Sequence, residues 1–264
     1  MLRTFADLKR MSIGATDGEL GSVRDAYFDD QHWTLRYLVV NPGSWLTARR
    51  VLISPWAIRD VNWNAQRVDV ALTREQVRNS PGIESDKPVS RQYEAEYSDY
   101  YGYPYYWAGP LAWGSLHVPE EAALADLALQ RARDAQQETE QGDPHLRSAN
   151  EVDGYNVEAV NGAIGHVDGF IFDDTSWSLR YFVVDTRNWL PGRHVLISTD
   201  WIERVSWENR KAHVVLTRDE VRNSPEYDAA AFTQAEEEAL HRYYGQSLRQ
   251  HGRKTKAGNW ELPI

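Results

Sequence analysis

Short alternating runs of apolar and polar residues, separated by turn-forming clusters, dominate the chain. Across residues 34–40, Leu35, Tyr37 and Val39 fall on one face and Arg36 on the other, which is the period of a strand. Gly18 and Gly21 flank a turn that leads into a strand over 22–29. Asp29-Asp30-Gln31-His32 predicts a second turn, because an Asp side chain readily bonds its own local backbone. Asn41-Pro42-Gly43-Ser44 breaks the chain before the next strand, over 49–54. Residues 58–63 and 67–72 predict a hairpin about Asn64-Ala65-Gln66. Five or six strands in under 80 residues, with little helix between them, favour a small closed barrel over a parallel sheet.

The whole pattern occurs twice. Residues 2–81 align with 146–225 at an offset of 144 without a gap, and 34 of the 80 positions are identical. Phe28-Asp29-Asp30 recurs as Phe172-Asp173-Asp174, and Leu35-Arg36-Tyr37 as Leu179-Arg180-Tyr181. Trp33, Trp45 and Trp63 recur as Trp177, Trp189 and Trp207. Each copy closes on a helix signal. Thr73-Arg74-Glu75-Gln76 and Thr217-Arg218-Asp219-Glu220 both fit a capping box, and Ser80-Pro81 and Ser224-Pro225 stop the helix. A weaker likeness follows, in which YEAEYSDYYG (93–102) matches EEEALHRYYG (236–245) and predicts a trailing helix that ends on a glycine cap. Between the copies lie an aromatic stretch, YPYYWAGPLAW (103–113), and a helix over 119–141 with proline and acidic residues at its start.

The predicted fold is therefore mainly β with helical additions (α+β), two small β-barrels joined by an aromatic segment and a helix. The segments are 1–82, first barrel; 83–144, aromatic segment and linker helix; 145–226, second barrel; and 227–264, C-terminal helix and basic tail.

Composition narrows the function classes. The net charge of −10 argues against nucleic-acid binding, since the one basic stretch is the tail at 249–258. There are no cysteines, so thiolate catalysis, disulfides and thiolate metal sites are excluded. No apolar run reaches bilayer-spanning length and no secretory signal opens the chain, which predicts a cytoplasmic protein without an integral membrane segment. Eleven Trp and fourteen Tyr are an unusually large aromatic load, suited either to filling small barrels or to forming interfaces.

Candidate chemistry is sparse. The barrel histidines His32, His166, His194 and His213 have Ser176, Ser22, Arg50 and Asp69 as counterparts, so any catalytic role would belong to one copy only, and they read as surface residues. Asp29-Asp30 and Asp173-Asp174 lack the spaced acidic loop of a calcium site, and read as turns paired with Arg36 or Arg180. There is no nucleophile elbow, phosphate-cradling loop or His-Glu-x-x-His sequence. Neither cofactor nor metal is expected. Trp63 and Trp207 read as mostly core. The interaction candidates are Trp45 and Trp189, which follow a turn, and the cluster Tyr100, Tyr101, Tyr103, Tyr105, Tyr106 and Trp107, which would cover the first barrel, pack between the barrels or join two chains.

The string Gly18-Glu19-Leu20-Gly21-Ser22-Val23, then Phe28-Asp29-Asp30, then Trp33 to Val40, then Val51-Leu52-Ile53-Ser54-Pro55, resembles the PRC-barrel family. That family includes the cytoplasmic domain of the photosynthetic reaction-centre H subunit, and the chain is most similar to bacterial proteins built from two such barrels. The resemblance implies a strongly bent barrel used for binding or assembly, without a shared catalytic set. The expected function is a non-enzymatic binding or scaffold protein mediating protein–protein assembly, as a homodimer. Binding of a small ligand or metal ion, and peripheral attachment to a membrane complex, are the alternatives.

Overall fold

The computed structural model describes residues 1–46, 50–82, 89–119, 145–186, 193–229 and 232–250. The linker helix expected over 119–141, the basic tail and Trp189 fall outside the described residues, apart from residue 119 and the first residues of the tail.

The first repeat forms β1 (Leu2–Thr4), α1 (Phe5–Leu8), β2 (Ser12–Ala15), β3 (Gly18–Asp29), β4 (Thr34–Asn41), β5 (Val51–Ile53), β6 (Ile58–Asn62), β7 (Arg67–Val70) and α2 (Arg74–Asn79), followed by α3 (Arg91–Tyr101). The second forms β8 (Leu146–Ser148), α4 (Ala149–Val152), β9 (Asn156–Ala159), β10 (Gly162–Asp173), β11 (Leu179–Asp185), β12 (His194–Ser198), β13 (Ile202–Ser206), β14 (Lys211–Val214), α5 (Arg218–Arg222) and α6 (Gln234–Gln250). Each repeat yields a mixed sheet of seven strands. Their ladders run β5-β4-β3-β2-β7-β6 and β12-β11-β10-β9-β14-β13, with β8 added to β3 and β1 to β10. The expected class, mainly β with helical additions, is the one observed.

Connection lengths show how far each sheet bends. β5 and β6 stand at opposite ends of the first ladder, yet only residues 54–57 join them. Six flat strands about 4.8 Å apart would separate those ends by about 24 Å. Five residue steps reach about 17 Å at most, so the sheet must curl. β12 and β13 are joined by the single turn Thr199–Trp201, which demands the same curl. Glycines permit the crowding that results. A Cβ on Gly21 (φ +134°) would lie 2.0 Å from Asn41 O, and one on Gly165 (φ +154°) would lie 2.0 Å from Asp185 O.

The chain divides into two compact units, Met1–Asn150 with Phe172–Leu179, and Glu151–Ile171 with Arg180 onward. The division does not follow the repeat boundary expected near residue 145, and strand pairing is the reason. In the first unit, β8 pairs with β3 in the register Tyr27↔Ser148, Phe28↔Arg147, Asp29↔Leu146. Arg147 Nε donates to Asp30 Oδ2 at 2.9 Å, and Arg3 Nε to Asp174 Oδ2 at 3.1 Å, so equivalent residues of the two repeats make equivalent ion pairs. The hairpin tips are joined by Leu35 N to Trp177 O (2.8 Å) and Leu179 N to Trp33 O (2.6 Å). Trp33 and Trp177 are held at φ +53° and +60°, a region costly for a bulky residue, while their rings stack on Phe28 and Phe172.

The core of the first unit includes Leu8, Met11, Ile13, Leu20, Val23, Leu35 and Val68; that of the second includes Tyr155, Val157, Ile164, Val167, Ile197 and Leu216. The alternation over β4 identified one apolar face, but residues 34–40 are buried without interruption. α3 covers the outer face. Tyr97 from that helix donates to Leu52 O at 3.0 Å and accepts from Ser54 N at 3.2 Å. Both capping boxes form as expected. Gly102 caps α3 in the left-handed region, whereas α6 runs on through Gly245 to Gln250. A helix tolerates one interior glycine at a cost of about 1 kcal/mol.

Candidate functional site

A buried polar cluster of the first unit is built around Arg36, which β4 carries into the interior with 1% of its surface exposed. Its Nε donates to Asp29 Oδ2 at 2.7 Å and its Nη2 lies 2.5 Å from the same oxygen. Asp29 Oδ1 also accepts from the backbone of Gln31 and His32, forming the turn its sequence predicts. Burial alone would push the Asp29 carboxyl up, but Arg36 and the donors of His32 hold it at about 2. The other side of the guanidinium faces rings, with Tyr106 3.8 Å and Trp113 4.8 Å from it.

Tyr106 is itself fixed from α3. Its hydroxyl donates to Glu94 Oε1 at 2.6 Å, and Tyr37 approaches the same oxygen at 3.4 Å. Arg91 Nη1 lies 3.0 Å from Glu94 Oε2 and donates to the Tyr106 hydroxyl at 3.1 Å, while its guanidinium stacks 4.3 Å from Trp107. Burial pushes Glu94 up to about 7, with Arg91, Tyr106 and Arg36 pulling the other way. Ionisable groups with displaced pKa values are the usual mark of an active site. Here the aromatic segment lies directly on the charges, so they hold that segment in place.

The second unit repeats part of this arrangement. Tyr181 donates to Glu237 Oε1 at 2.8 Å and lies 2.6 Å from His241 Nε2. Burial and the nearby Arg180 hold His241 below its usual value. Arg180 Nη2 lies 3.7 Å from Glu237 Oε1, but 42% of its side chain is exposed. Among the described residues no aromatic ring stacks on it.

The same unit has an open groove of about 680 Å³, lined by Asp168, Val183, His194, Glu226, Tyr227 and Asp228. At its edge His194 Nε2 lies 3.1 Å from Asp168 Oδ2, and His166 Nε2 lies 3.9 Å from Asp185 Oδ2. One donor atom from each of His166, Asp168 and Asp185 falls within 4.8 Å of the others, a set able to hold a metal ion. The sequence reading left His166 and His194 as separate surface histidines. The three neighbouring strands β10, β11 and β12 bring them together with two aspartates.

The predicted interaction residues scatter in role. Trp45 is half-buried, donates from Nε1 to Leu20 O at 2.9 Å and carries the Arg74 guanidinium 4.5 Å above its ring. Tyr105 and Tyr106 are buried within the chain, which removes them from any exposed surface. Trp107 is half-buried against Tyr105 and Arg91. Tyr101, the last residue of α3, and Tyr103 stack on each other at 5.4 Å and pack against Tyr97. Tyr100 alone is exposed, and its hydroxyl donates to Gln76 O. Trp189 lies outside the described residues. Trp63 and Trp207 are half-buried, not core, with Arg3 lying 4.5 Å above Trp63. Among the described residues no helix is long and apolar enough to cross a membrane. Comparison with protein-family models and with curated proteins returns no match for this chain.

Proposed function

We propose that the chain is a non-enzymatic binding and scaffold protein, in which two PRC-barrel-type repeats mediate protein–protein assembly in the cytoplasm. The observation that carries this reading is where the polar chemistry is spent. Arg36, Asp29, Glu94 and Arg91 are consumed under their own aromatic cover, and Arg3, Asp30, Arg147 and Asp174 by strand pairing. Among the described residues an open groove lined by Asp168, Glu226 and Asp228 stays accessible, and its acidic wall suits a basic segment of a partner protein.

The test uses the full chain as bait in an extract of its native cell, beside a Glu226→Lys/Asp228→Lys double variant. Stoichiometric recovery of one partner by the parent, reduced at least about tenfold by the charge reversal, is the expected result. A defined catalytic turnover of the purified chain, abolished by Glu94→Gln or Glu237→Gln, would overturn the reading.

A further inference from the structure

Four positions related by the offset of 144 differ between the repeats in one chemical direction. His166 and Asp168 sit two residues apart on β10, Asp185 ends β11, and His194 starts β12 directly opposite Asp185. The corresponding residues of the first repeat are Ser22, Arg24, Asn41 and Arg50. There, Ser22 and Asn41 are directly paired across β3 and β4. Four neighbouring positions therefore hold two hydroxyl or amide groups and two arginines in one repeat. In the other they hold two imidazoles and two carboxylates. Ion pairing alone needs one histidine and one carboxylate. It does not call for donor atoms of His166, Asp168 and Asp185 to gather within 4.8 Å of one another, with Asp185 buried.

We propose that His166, Asp168 and Asp185 form a binding site for a divalent first-row transition metal ion, with zinc its natural probe and His194 holding Asp168 from outside the set. One imidazole and two carboxylates, with water in the remaining position, are a donor set such ions accept. Donor atoms about 2.0–2.2 Å from one ion lie no more than about 4.4 Å apart. The donors of His166, Asp168 and Asp185 already fall within 4.8 Å of one another, against about 3.4 Å between ligands of a tetrahedral ion, so side-chain movements of about an ångström bring them onto one ion. His194 Nε2 lies 3.1 Å from Asp168 Oδ2 and so orients that ligand from outside the set. Hydrogen-bonded strands set the ligand positions, a firmer mounting than a loop provides. The side chains of His166, Asp168 and His194 are 30–47% exposed, so an ion can enter from solvent, while Asp185 forms the floor. The adjoining Glu226 and Asp228 add negative potential along the groove.

This site shares Asp168 with the groove of the proposed function, but ion binding requires no partner. The first repeat also supplies controls that the fold already accommodates. The metal-stripped full chain is titrated with zinc by calorimetry, beside His166→Ser and Asp185→Asn, which install the residues found at positions 22 and 41. The expected result is one zinc per chain, weakened at least about 100-fold by either substitution, with the zinc-free thermal transition unchanged. Cobalt added instead should give visible absorption bands of a four-coordinate site that both variants lose. Zinc binding by the variants as tight as by the parent overturns the proposal. So does the lack of a saturable single site at micromolar zinc. The capture test, which alters Glu226 and Asp228 and leaves the three ligands in place, fails or succeeds separately from this titration.

Discussion

Arg36 and Arg180 occupy the same position in the two repeats, and each precedes a tyrosine whose hydroxyl reaches a helix glutamate, Glu94 or Glu237. Their surroundings differ completely. Arg36 is sealed between Asp29 and the rings of Tyr106 and Trp113, whereas 42% of the Arg180 side chain meets solvent. The cause lies far from either strand. After α3 the chain supplies YPYYWAGPLAW, while the stretch 246–256, at the offset that aligns α3 with α6, reads QSLRQHGRKTK, without a Tyr, Trp or Phe. A strand motif thus does not decide whether its own arginine is buried; a segment some 70 residues downstream does. Among the described residues, one repeat has its charged strand face closed and the other has the equivalent arginine exposed.

The largest expected effect separates the two arginines. Removing one member of a buried ion pair leaves the other charge stranded in the interior, at about 3–5 kcal/mol. An exposed pair contributes about 1 kcal/mol or less. Arg36→Ala is therefore expected to lower the urea midpoint of the full chain far more than Arg180→Ala does. Equal shifts would break the comparison, since they would mean that the aromatic cover does not desolvate Arg36.

Glu94 sharpens the same contrast through pH. With a native value of about 7 against an ordinary carboxyl near 4.5, the folded chain keeps a proton that the unfolded chain releases between those two values. Folding stability must then fall as pH rises from about 4.5 to 7, by roughly 3 kcal/mol from this group, and level off above. Glu94→Gln keeps a group that can meet Tyr106 and removes the titration. Denaturation midpoints recorded at a series of pH values should show this component of the slope in the parent and not in the variant. An unchanged slope would mean that Glu94 is ionised throughout.

How much of this was legible in the sequence depended on the range of the interaction. The repeat, the strands over 22–29, 34–40, 58–62 and 67–70, the Asp29 turn and the capping boxes rest on local chemistry and on identity at a fixed offset, and they appear where expected. Leu2–Thr4 and Ser12–Ala15 are further strands, and residues 18–21 belong to β3, not to a turn. Arg36 was assigned to the polar side of its strand because alternation reports one face only, and the cover over the other face is encoded elsewhere. The unit boundary was missed because β8 satisfies its hydrogen bonds on β3, a pairing that no periodicity announces. Tyr105 and Tyr106 carried the composition of an interface, but the surface they bury is the chain's own. The His166 cluster did leave a signal, since positions 22, 24, 41 and 50 all differ between copies. Only the strand register reveals that those positions are neighbours.

The smallest prediction concerns a feature the two repeats share, and so tests whether their difference stays local to the aromatic cover. Thr73 Oγ1 accepts from Gln76 N at 3.1 Å while Gln76 Oε1 accepts from Thr73 N at 2.8 Å. In the second repeat Glu220 N lies 3.3 Å from Thr217 Oγ1, and Glu220 Oε2 accepts from Thr217 N at 2.6 Å. Loss of a threonine cap costs about 1 kcal/mol, so Thr73→Ala and Thr217→Ala should each lower the denaturation midpoint by a similar amount. The Thr217 loss should be the larger by roughly half a kcal/mol, because a buried carboxylate makes a stronger hydrogen bond than a neutral amide and is left with one donor fewer. A Thr73 loss several times larger than the Thr217 loss would extend the contrast between repeats beyond the cover, to the stability of the sheets themselves.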